Sequence, residues 1–281
     1  MTMKIQRLLI YFTQIGLILN ISSCNSQISK SKCDSKDSLH WVTTTNGCLH
    51  IYTYKSKIIS DTPNLVIIIH GDAPFNKPGY QYKMARLISE QNQNTIAIGL
   101  LRPGYTDDDG NTSDGQRGLT TGDNYTPDVI TAIAQGIEKL KNRYHPKKTI
   151  LVGHSGGAAI TGDIIGMEPK LINKAVLVSC PCDLPKWRKY MSEKQFYNLA
   201  WHDSVLSVSP NSVIKEINKE TEIVIVCGEK DDITPIELSI SYFQKTQESN
   251  LKSKLIQIPN KSHEIFLDEH LFNAINQILN E

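Results

Sequence analysis

Short apolar runs alternate along the chain with longer stretches in which apolar residues recur every three or four positions. The short runs predict strands at residues 65–69, 95–100, 150–152, 174–179, 222–227 and 253–258. The periodic stretches predict helices at residues 79–91, 129–144, 235–247 and 265–279, and a small-residue helical pattern follows residue 155. Repeated alternation of strand and helix predicts an α/β fold with a mostly parallel central sheet and helices on both faces.

Three other stretches complete this picture. Residues 39–54 contain two strand-like runs around Asn46-Gly47, which predicts a hairpin. Residues 102–127 carry no periodicity, and a loop of this length in a compact domain is usually functional. Residues 183–220 lack a strand and are rich in Trp, Tyr, Lys and Ser, which predicts a small helical cap. We therefore expect one domain over residues 39–281.

The first residues have the pattern of a targeting segment. Lys4 and Arg7 precede an apolar stretch, residues 8–21, which is interrupted by polar residues. The stretch is too short and too broken for a stable transmembrane helix. It predicts a secretory signal peptide at residues 1–23.

The end of this segment, Ile21-Ser22-Ser23-Cys24, resembles the lipobox of bacterial lipoproteins. The resemblance implies cleavage before Cys24 and a lipid on that cysteine, so the domain would be exported and held on a membrane, in the periplasm or at the cell surface. A plain cleaved signal and an uncleaved anchor are the alternatives. Polar residues 24–38 would form the tether.

Export would permit disulfide bonds. Five cysteines follow Cys24, namely Cys33, Cys48, Cys180, Cys182 and Cys227. Because five is odd, at least one is free or paired with another molecule. Cys33 and Cys48 could close a short loop. The other three lie at strand ends and are either buried thiols or include a bridge from Cys227 to one of its two neighbours.

Composition narrows the class of function. The chain has 281 residues, a net charge of +1, 40% hydrophobic and 21% charged residues, which is typical of a globular domain with a large core. The absence of a basic excess argues against nucleic acid as a partner. No cysteine or histidine cluster has the spacing of a zinc site, and neither a metal nor an organic cofactor is predicted.

The strongest chemical signal follows the strand at residues 150–152. It is Gly153-His154-Ser155-Gly156-Gly157, the Gly-x-Ser-x-Gly pattern of a nucleophile elbow, a sharp turn from strand to helix that exposes a serine hydroxyl. The glycines leave room where side chains would collide, and the following helix directs free N–H groups at the reaction centre. Ser155 is the predicted nucleophile.

A serine nucleophile needs a base, and the base needs an acid that orients it. Asp231 and Asp232 follow one predicted strand, and His263 follows the last one. Ligands bind at the carboxyl ends of parallel strands, where these residues would meet. The order Ser155, Asp231, His263 resembles that of the α/β-hydrolase superfamily, over roughly residues 41–281.

This resemblance implies roles for several residues. Gly228-x-x-Asp231-x-x-x-Pro235 matches the acid loop of the superfamily and favours Asp231, with Asp232 and Asp183 as alternatives. The oxyanion would accept N–H bonds from Gly156 and, by analogy with relatives, from Asp72. Because a carboxylate facing an oxyanion would oppose it, the Asp72 side chain should turn away or pair with a cation such as Arg102. His70 and His154 are expected to be structural.

The sequence says less about the substrate than about the catalytic residues. The segments around Arg102, Tyr105 and Tyr125 resemble parts of bacterial esterase-like or peptidase-like hydrolases, which implies substrate binding, although these residues could instead hold the long loop. The leading prediction is a serine hydrolase that cleaves a small-molecule carboxylic ester. An amidase or peptidase with the same triad, and a catalytically silent binding protein on this fold, are the alternatives. The sequence makes no prediction of oligomeric state.

Overall fold

The computed structural model describes residues 39–280, which contain an eight-stranded sheet. Its strands are β1 Trp41–Thr44, β2 Gly47–Lys55, β3 Asn64–Ile69, β4 Thr95–Leu100, β5 Lys148–His154, β6 Lys174–Val178, β7 Glu222–Gly228 and β8 Lys252–Ile258. The spatial order is β1-β2-β4-β3-β5-β6-β7-β8. The β1–β2 and β2–β4 pairs are antiparallel, and all the other pairs are parallel.

Helices cover both faces of this sheet. They are α1 Tyr80–Gln91, α2 Pro127–Tyr144, α3 Gly156–Met167, α4 Leu184–Lys194, α5 Pro210–Val213, α6 Ile236–Glu248 and α7 Glu269–Asn280. Apolar residues of α2, α3 and α6 form one core with one face of the sheet. Those of α1 and α7 form a second core with the other face. Burial on both faces explains why the central strands are apolar throughout.

The chain changes direction across the sheet at β3. From β3 it passes to β4 on one side and then returns to β5 on the other side. The carboxyl ends of β3 and β5 therefore lie next to each other while their following loops diverge. Such a switch point leaves a crevice in which ligands bind in open α/β sheets.

The predicted α/β-hydrolase architecture is confirmed, including the hairpin and a helical segment between β6 and β7. The last helix begins at Glu269 rather than at residue 265. Ile265 and Phe266 are buried, which extends the apolar periodicity, but they belong to a turn. The Asp268 carboxylate accepts a hydrogen bond from the backbone N–H of His270 at 2.9 Å, as at a helix N-cap.

The signal peptide, the tether, Cys24 and Cys33 lie outside residues 39–280. Within that range, no helix is both long and apolar enough to cross a bilayer.

The cysteines after β6 pair with each other. Cys180 and Cys182 form a disulfide across Pro181, with their Cα atoms 5.1 Å apart. Cys227 is a buried free thiol, so of the two alternatives that the sequence leaves open for it the buried thiol is confirmed and the bridge is wrong. Burial raises the pKa of Cys227 to about 11, which keeps the group a neutral thiol at neutral pH. Its thiol lies 3.9 Å from the carbonyl oxygen of Ile256 in the neighbouring strand β8.

Helix α3 carries one buried acidic side chain, Asp163, beside Tyr242 of α6. Asp163 is 0% exposed, and neither of its carboxylate oxygens has a hydrogen-bond partner among residues 39–280. Burial raises the pKa of Asp163 well above its ordinary value. The folded protein therefore holds this carboxyl protonated at pH values where the unfolded chain ionises it, so its contribution to stability is lost as the pH rises above the ordinary aspartate range.

We expect Asp163→Asn to stabilise the protein at pH 7, because the amide cannot ionise in the unfolded state. The melting temperature should rise by at least ~2–4 °C, the equivalent of about 1 kcal/mol in a domain of this size, and the gain should shrink toward pH 4. Thermal unfolding at several pH values measures this, with the exposed Asp61→Asn as the control. A gain of equal size at pH 4 and pH 7 would contradict the ionisation argument.

Candidate active site

Ser155 lies at the turn between β5 and α3. Its backbone has φ 52° and ψ −118°, a conformation that is strained for a residue with a side chain. A Cβ on Gly157 would come within 2.5 Å of the carbonyl oxygens of Ile69 and His70, and one on Gly153 within 2.2 Å of the Gly157 oxygen. The two glycines of the motif are therefore required by close backbone contacts.

Three side chains from distant parts of the chain meet at this turn. His263 Nε2 lies 3.0 Å from Ser155 Oγ, and His263 Nδ1 lies 2.9 Å from Asp231 Oδ2. Ser155, Asp231 and His263 are only 8%, 6% and 8% exposed, so water competes little for these bonds. In this arrangement Nδ1–H donates to the carboxylate and Nε2 accepts from the serine hydroxyl.

The loop after β7 holds the Asp231 carboxylate in place. Oδ1 accepts backbone N–H bonds from Ile233 at 3.0 Å and Thr234 at 2.8 Å, and the Thr234 hydroxyl donates to Oδ2 at 2.8 Å. Burial alone would raise the pKa of Asp231, but the contact with His263 and the Thr234 donors outweigh burial and lower it. The carboxylate is thus ionised beside the imidazole.

The two alternative acids, Asp232 and Asp183, make contacts away from His263. The Asp232 side chain is 70% exposed and pairs with Lys194. Asp183 accepts a hydrogen bond from the Lys186 N–H at the start of α4 and another from Asn211. Of the three candidate acids, the structure brings only Asp231 to His263.

Two backbone N–H groups are available beside the serine. Those of Gly156 and Asp72 donate to no other group between residues 39 and 280. The loop that carries Asp72 passes directly over the nucleophile, since a Cβ on Gly71 would lie 3.0 Å from Ser155 Cβ. Gly156 is also the first residue of α3, where the helix dipole favours negative charge. These groups are suited to stabilise an oxyanion.

His70 shapes this loop. Its Nδ1 lies 2.7 Å from the carbonyl oxygen of Gly71, and its Nε2 accepts the N–H of Arg102 at 3.1 Å. Burial lowers the pKa of His70 well below its ordinary value, so the ring is neutral and one nitrogen donates while the other accepts. A structural role for His70 was the expectation from the sequence.

The Asp72 carboxylate turns away from the serine into a buried cluster. It accepts bonds from Arg102 Nη1 at 2.8 Å, the Tyr125 hydroxyl at 2.6 Å and the Gly122 N–H at 2.8 Å. The Arg102 guanidinium lies over the rings of Tyr105 and Tyr125, at 5.1 and 5.5 Å from their centroids. The predicted pairing of Asp72 with Arg102 is confirmed.

The predicted substrate-binding residues lie in this buried cluster and do not line the cleft. Arg102, Tyr105 and Tyr125 are 0%, 2% and 0% exposed, and they stand behind the oxyanion loop rather than in the cleft. Burial and the Asp72 charge raise the pKa of Tyr125 well above its ordinary value, so its hydroxyl remains a donor. These three residues support the loop.

A cleft of about 300 Å³ opens over Ser155 and His263. Its other lining residues come from the loop after β3, the start of α1, the end of β5 and the turn before α7: Gly71, Asp72, Ala73, Asn76, Lys77, Pro78, Tyr80, His154 and Glu264. Exposed Lys77 and Glu264 give its rim one charge of each sign. Sequence reasoning missed Lys77, Tyr80 and Glu264, because nothing in their local pattern distinguishes them from ordinary surface or helix residues.

The segment between β6 and β7 contacts the loops of the site through Trp187. This side chain is fully buried, packs against Trp201, and donates its indole N–H to the Ile233 carbonyl at 2.7 Å. It also abuts Gly122, where a Cβ would lie 2.6 Å from the indole ring. Phe196 and Tyr197 are instead 76% and 75% exposed.

Residues 39–280 contain no group of three or more His, Cys, Asp or Glu side chains that could hold a metal ion. The groups that meet at the cleft are the serine, the imidazole and the carboxylate, together with the two backbone donors.

Comparison with known proteins supports the same chemistry. Residues 115–280, more than half of the chain, match the model of the prolyl oligopeptidase family. No curated protein matches the chain in sequence.

Solved structures share the fold at low identity. Acylaminoacyl peptidase from Pyrococcus horikoshii has a TM-score of 0.65 and 11% identity, covering 85% of this chain and 40% of that chain. Est1E from Butyrivibrio proteoclasticus, with bound ferulic acid, has a TM-score of 0.64 and 18% identity over 85% of this chain and 97% of its own. An esterase from Pyrococcus furiosus has a TM-score of 0.62 and 17% identity, with coverages of 85% and 88%. The chain thus spans about 40% of the peptidase length.

Proposed function

We propose that this chain, which belongs to the prolyl oligopeptidase family and has the α/β-hydrolase fold, cleaves carboxylic esters through an acyl-enzyme formed on Ser155. The observation that carries the proposal is the continuous contact from Ser155 Oγ through His263 to Asp231, at 3.0 and 2.9 Å. Nucleophile, base and orienting acid stand within bonding reach of one another, as acyl transfer requires.

The first half of the reaction forms the acyl-enzyme. As Ser155 Oγ attacks the carbonyl carbon, His263 Nε2 takes the hydroxyl proton. The carbonyl oxygen becomes an oxyanion that accepts the N–H groups of Gly156 and Asp72. Collapse of this intermediate breaks the bond to the leaving oxygen, which receives the proton from His263.

The second half releases the acid. A water molecule gives a proton to His263 and attacks the acyl carbon, and the protonated imidazole then returns its proton to Ser155 as the ester bond breaks. Asp231 stabilises the positive imidazolium in both halves and keeps the ring in the tautomer that presents Nε2 to the serine.

The size of the cleft favours a compact acyl group. A volume of about 300 Å³ lies at the small end of the range for ligand pockets. An extended peptide would need further subsites along the cleft. The solved structures with this fold include an acylaminoacyl peptidase bound to Z-Gly-Gly-Phe-chloromethyl ketone and an esterase bound to ferulic acid, so an amidase or peptidase activity is the second candidate.

A fluorophosphonate probe tests whether the site is active. We expect stoichiometric labelling of Ser155 in the wild-type protein and none in Ser155→Ala. A folded wild-type protein that the probe does not label would favour a silent binding protein. A panel of p-nitrophenyl esters of increasing acyl length and of aminoacyl p-nitroanilides then separates the two enzyme classes. Higher kcat/KM for the amides would overturn the esterase assignment.

Location is a separate proposal that depends on residues 1–24 alone. We propose that the enzyme is exported and anchored through a lipid on Cys24, as the lipobox-like sequence implies. Expression in a bacterial host with labelled palmitate tests this. Incorporation into wild type but not into Cys24→Ser supports the anchor, and equal labelling of the two would contradict it.

A further inference from the structure

The hydroxyl of Tyr80, the first residue of α1, lies in the wall of the cleft between two of the loops described above. It accepts the backbone N–H of Gly71 at 2.5 Å and lies 2.9 Å from His154 Nδ1. Gly71 immediately precedes Asp72, and His154 immediately precedes Ser155. One phenol oxygen therefore joins the oxyanion loop to the strand end that carries the nucleophile.

His154 extends this connection to the base. Its Nε2 lies 3.3 Å from the carbonyl oxygen of His263. Burial, together with the neighbouring His263, lowers the pKa of His154 to about 3, so the ring is neutral. A carbonyl can only accept, so Nε2 carries the proton, and Nδ1 then accepts from the Tyr80 hydroxyl.

These directions form one consistent series of hydrogen bonds. The Gly71 N–H donates to Tyr80, the Tyr80 hydroxyl donates to His154, and His154 donates to His263 O. The Ser179 hydroxyl donates to the same carbonyl oxygen at 3.1 Å and secures the end of the series.

We propose that Tyr80 is a positioning residue for acyl transfer, which fixes the oxyanion loop relative to the loop that carries the base. The inference rests on the proposed function, because it concerns the geometry of attack at Ser155. Tyr80 itself does not bond to Ser155 or take part in proton transfer. It acts through Gly71 and His154, each of which adjoins a residue of the reaction centre.

Phenylalanine at this position isolates the hydroxyl. The Tyr80 ring packs edge-on against His154 and Phe266, with centroids 5.5 and 5.3 Å apart. Tyr80→Phe keeps those contacts and removes only the oxygen, which leaves the Gly71 N–H and His154 Nδ1 without their partner.

We expect Tyr80→Phe to lower kcat by roughly 10- to 100-fold, since displacement of reacting groups by about 1 Å has effects of that size. KM should change by less than about threefold, because the contacts that bind the ground state remain. The rate of fluorophosphonate labelling should fall in parallel with kcat. The measurements are kcat and KM for the best ester of the panel and the second-order labelling rate constant.

Tyr242→Phe is the matched control. Tyr242 is fully buried, its hydroxyl has no hydrogen-bond partner among residues 39–280, and it does not line the cleft. Its replacement should leave kcat and the labelling rate within about twofold of wild type, because no hydrogen bond is lost.

A double-mutant cycle with His154→Phe tests whether Tyr80 acts through this ring. Removal of the Tyr80 hydroxyl should have a much smaller effect in the His154→Phe background than in wild type. If Tyr80→Phe does not fold, His154→Phe tests the same hydrogen bond by removing its other partner. The expected result is a lower kcat at unchanged KM.

Each other outcome has a definite meaning. Tyr80→Phe with wild-type kcat and labelling rate, or with a raised KM and unchanged kcat, would overturn the positioning role while the proposed hydrolase stands. Equal losses of kcat in Tyr80→Phe and Tyr242→Phe would also overturn the positioning role. Failure of the probe to label wild-type protein would overturn both proposals.

Discussion

Ser155→Ala is expected to lower kcat by roughly 10⁶-fold, the loss typical when a triad nucleophile is removed. The reason is that His263 and Asp231 act only through the serine oxygen, which lies 3.0 Å from His263 Nε2. His263→Ala should lower kcat by about the same factor, because the two residues act as a unit. The double variant Ser155→Ala/His263→Ala should lower kcat little further. Steady-state kinetics with the best ester of the panel measures all three.

A residual rate of roughly 10³-fold over water is expected to survive in these variants, because the backbone donors of Gly156 and Asp72 remain. Additive losses in the double variant would mean that the two residues act independently. Loss of less than about 10²-fold in Ser155→Ala would show that another nucleophile performs the reaction.

The neighbouring aspartates provide a matched pair for the acid. Asp231→Asn should reduce kcat by about 10⁴-fold, since an amide favours the wrong tautomer of His263. Asp232→Asn alters the adjacent, exposed carboxylate that pairs with Lys194, and activity should stay close to wild type. A reversed order of these two effects would assign the acid to Asp232.

Arg102→Met is expected to lower the free energy of unfolding by about 3–5 kcal/mol, because it leaves the Asp72 carboxylate buried without its cation. The Arg102 and Asp72 side chains are 0% and 4% exposed, so water cannot replace the lost partner. In a domain of this size the loss corresponds to a fall in melting temperature of roughly 10 °C. Chemical unfolding monitored by circular dichroism gives the value directly.

Arg86→Met is the control for this variant. Arg86 and Glu90 form an ion pair at 2.8 Å whose side chains are 67% and 52% exposed. Because both groups are exposed to solvent, loss of this pair should leave the free energy of unfolding close to that of the wild type. The double variant Asp72→Leu/Arg102→Met should recover part of the lost stability, since it removes both buried charges. Equal destabilisation by Arg102→Met and Arg86→Met would contradict the account of the cluster.

The fold was predictable because its signals are local. Each central strand is buried on both faces, so each is visible as an apolar run, and Gly153 and Gly157 mark the turn that the close backbone contacts require. The order of Ser155, Asp231 and His263 could likewise be taken from the strands that precede them.

The residues that hold the active-site loops in place are harder to predict from the sequence, because their contacts join distant segments of the chain. Asp72 and Tyr125 are 53 positions apart, and only the folded loops bring the carboxylate to the phenol. In sequence, Arg102 and Tyr105 fit either substrate binding or support of the long loop, and only the structure shows that they are buried. Tyr80 carries no local signal, since a tyrosine at the start of an amphipathic helix is ordinary.

The pairing of the cysteines is likewise not determined by the sequence. In sequence, a bridge from Cys227 to Cys180 or Cys182 and buried free thiols are both open, whereas in the structure Cys180 and Cys182 bond to each other across Pro181. Spacing along the chain does not report the direction in which a side chain leaves a strand end.

Trp187 has a consequence for anyone who wishes to change the substrate range. Its indole touches Gly122, whose N–H bonds to Asp72, and it bonds to Ile233, whose N–H holds Asp231. The segment between β6 and β7 therefore supports the loops of the active site and is not an exchangeable module. Grafts from other hydrolases should therefore retain this tryptophan together with Gly122 and Ile233.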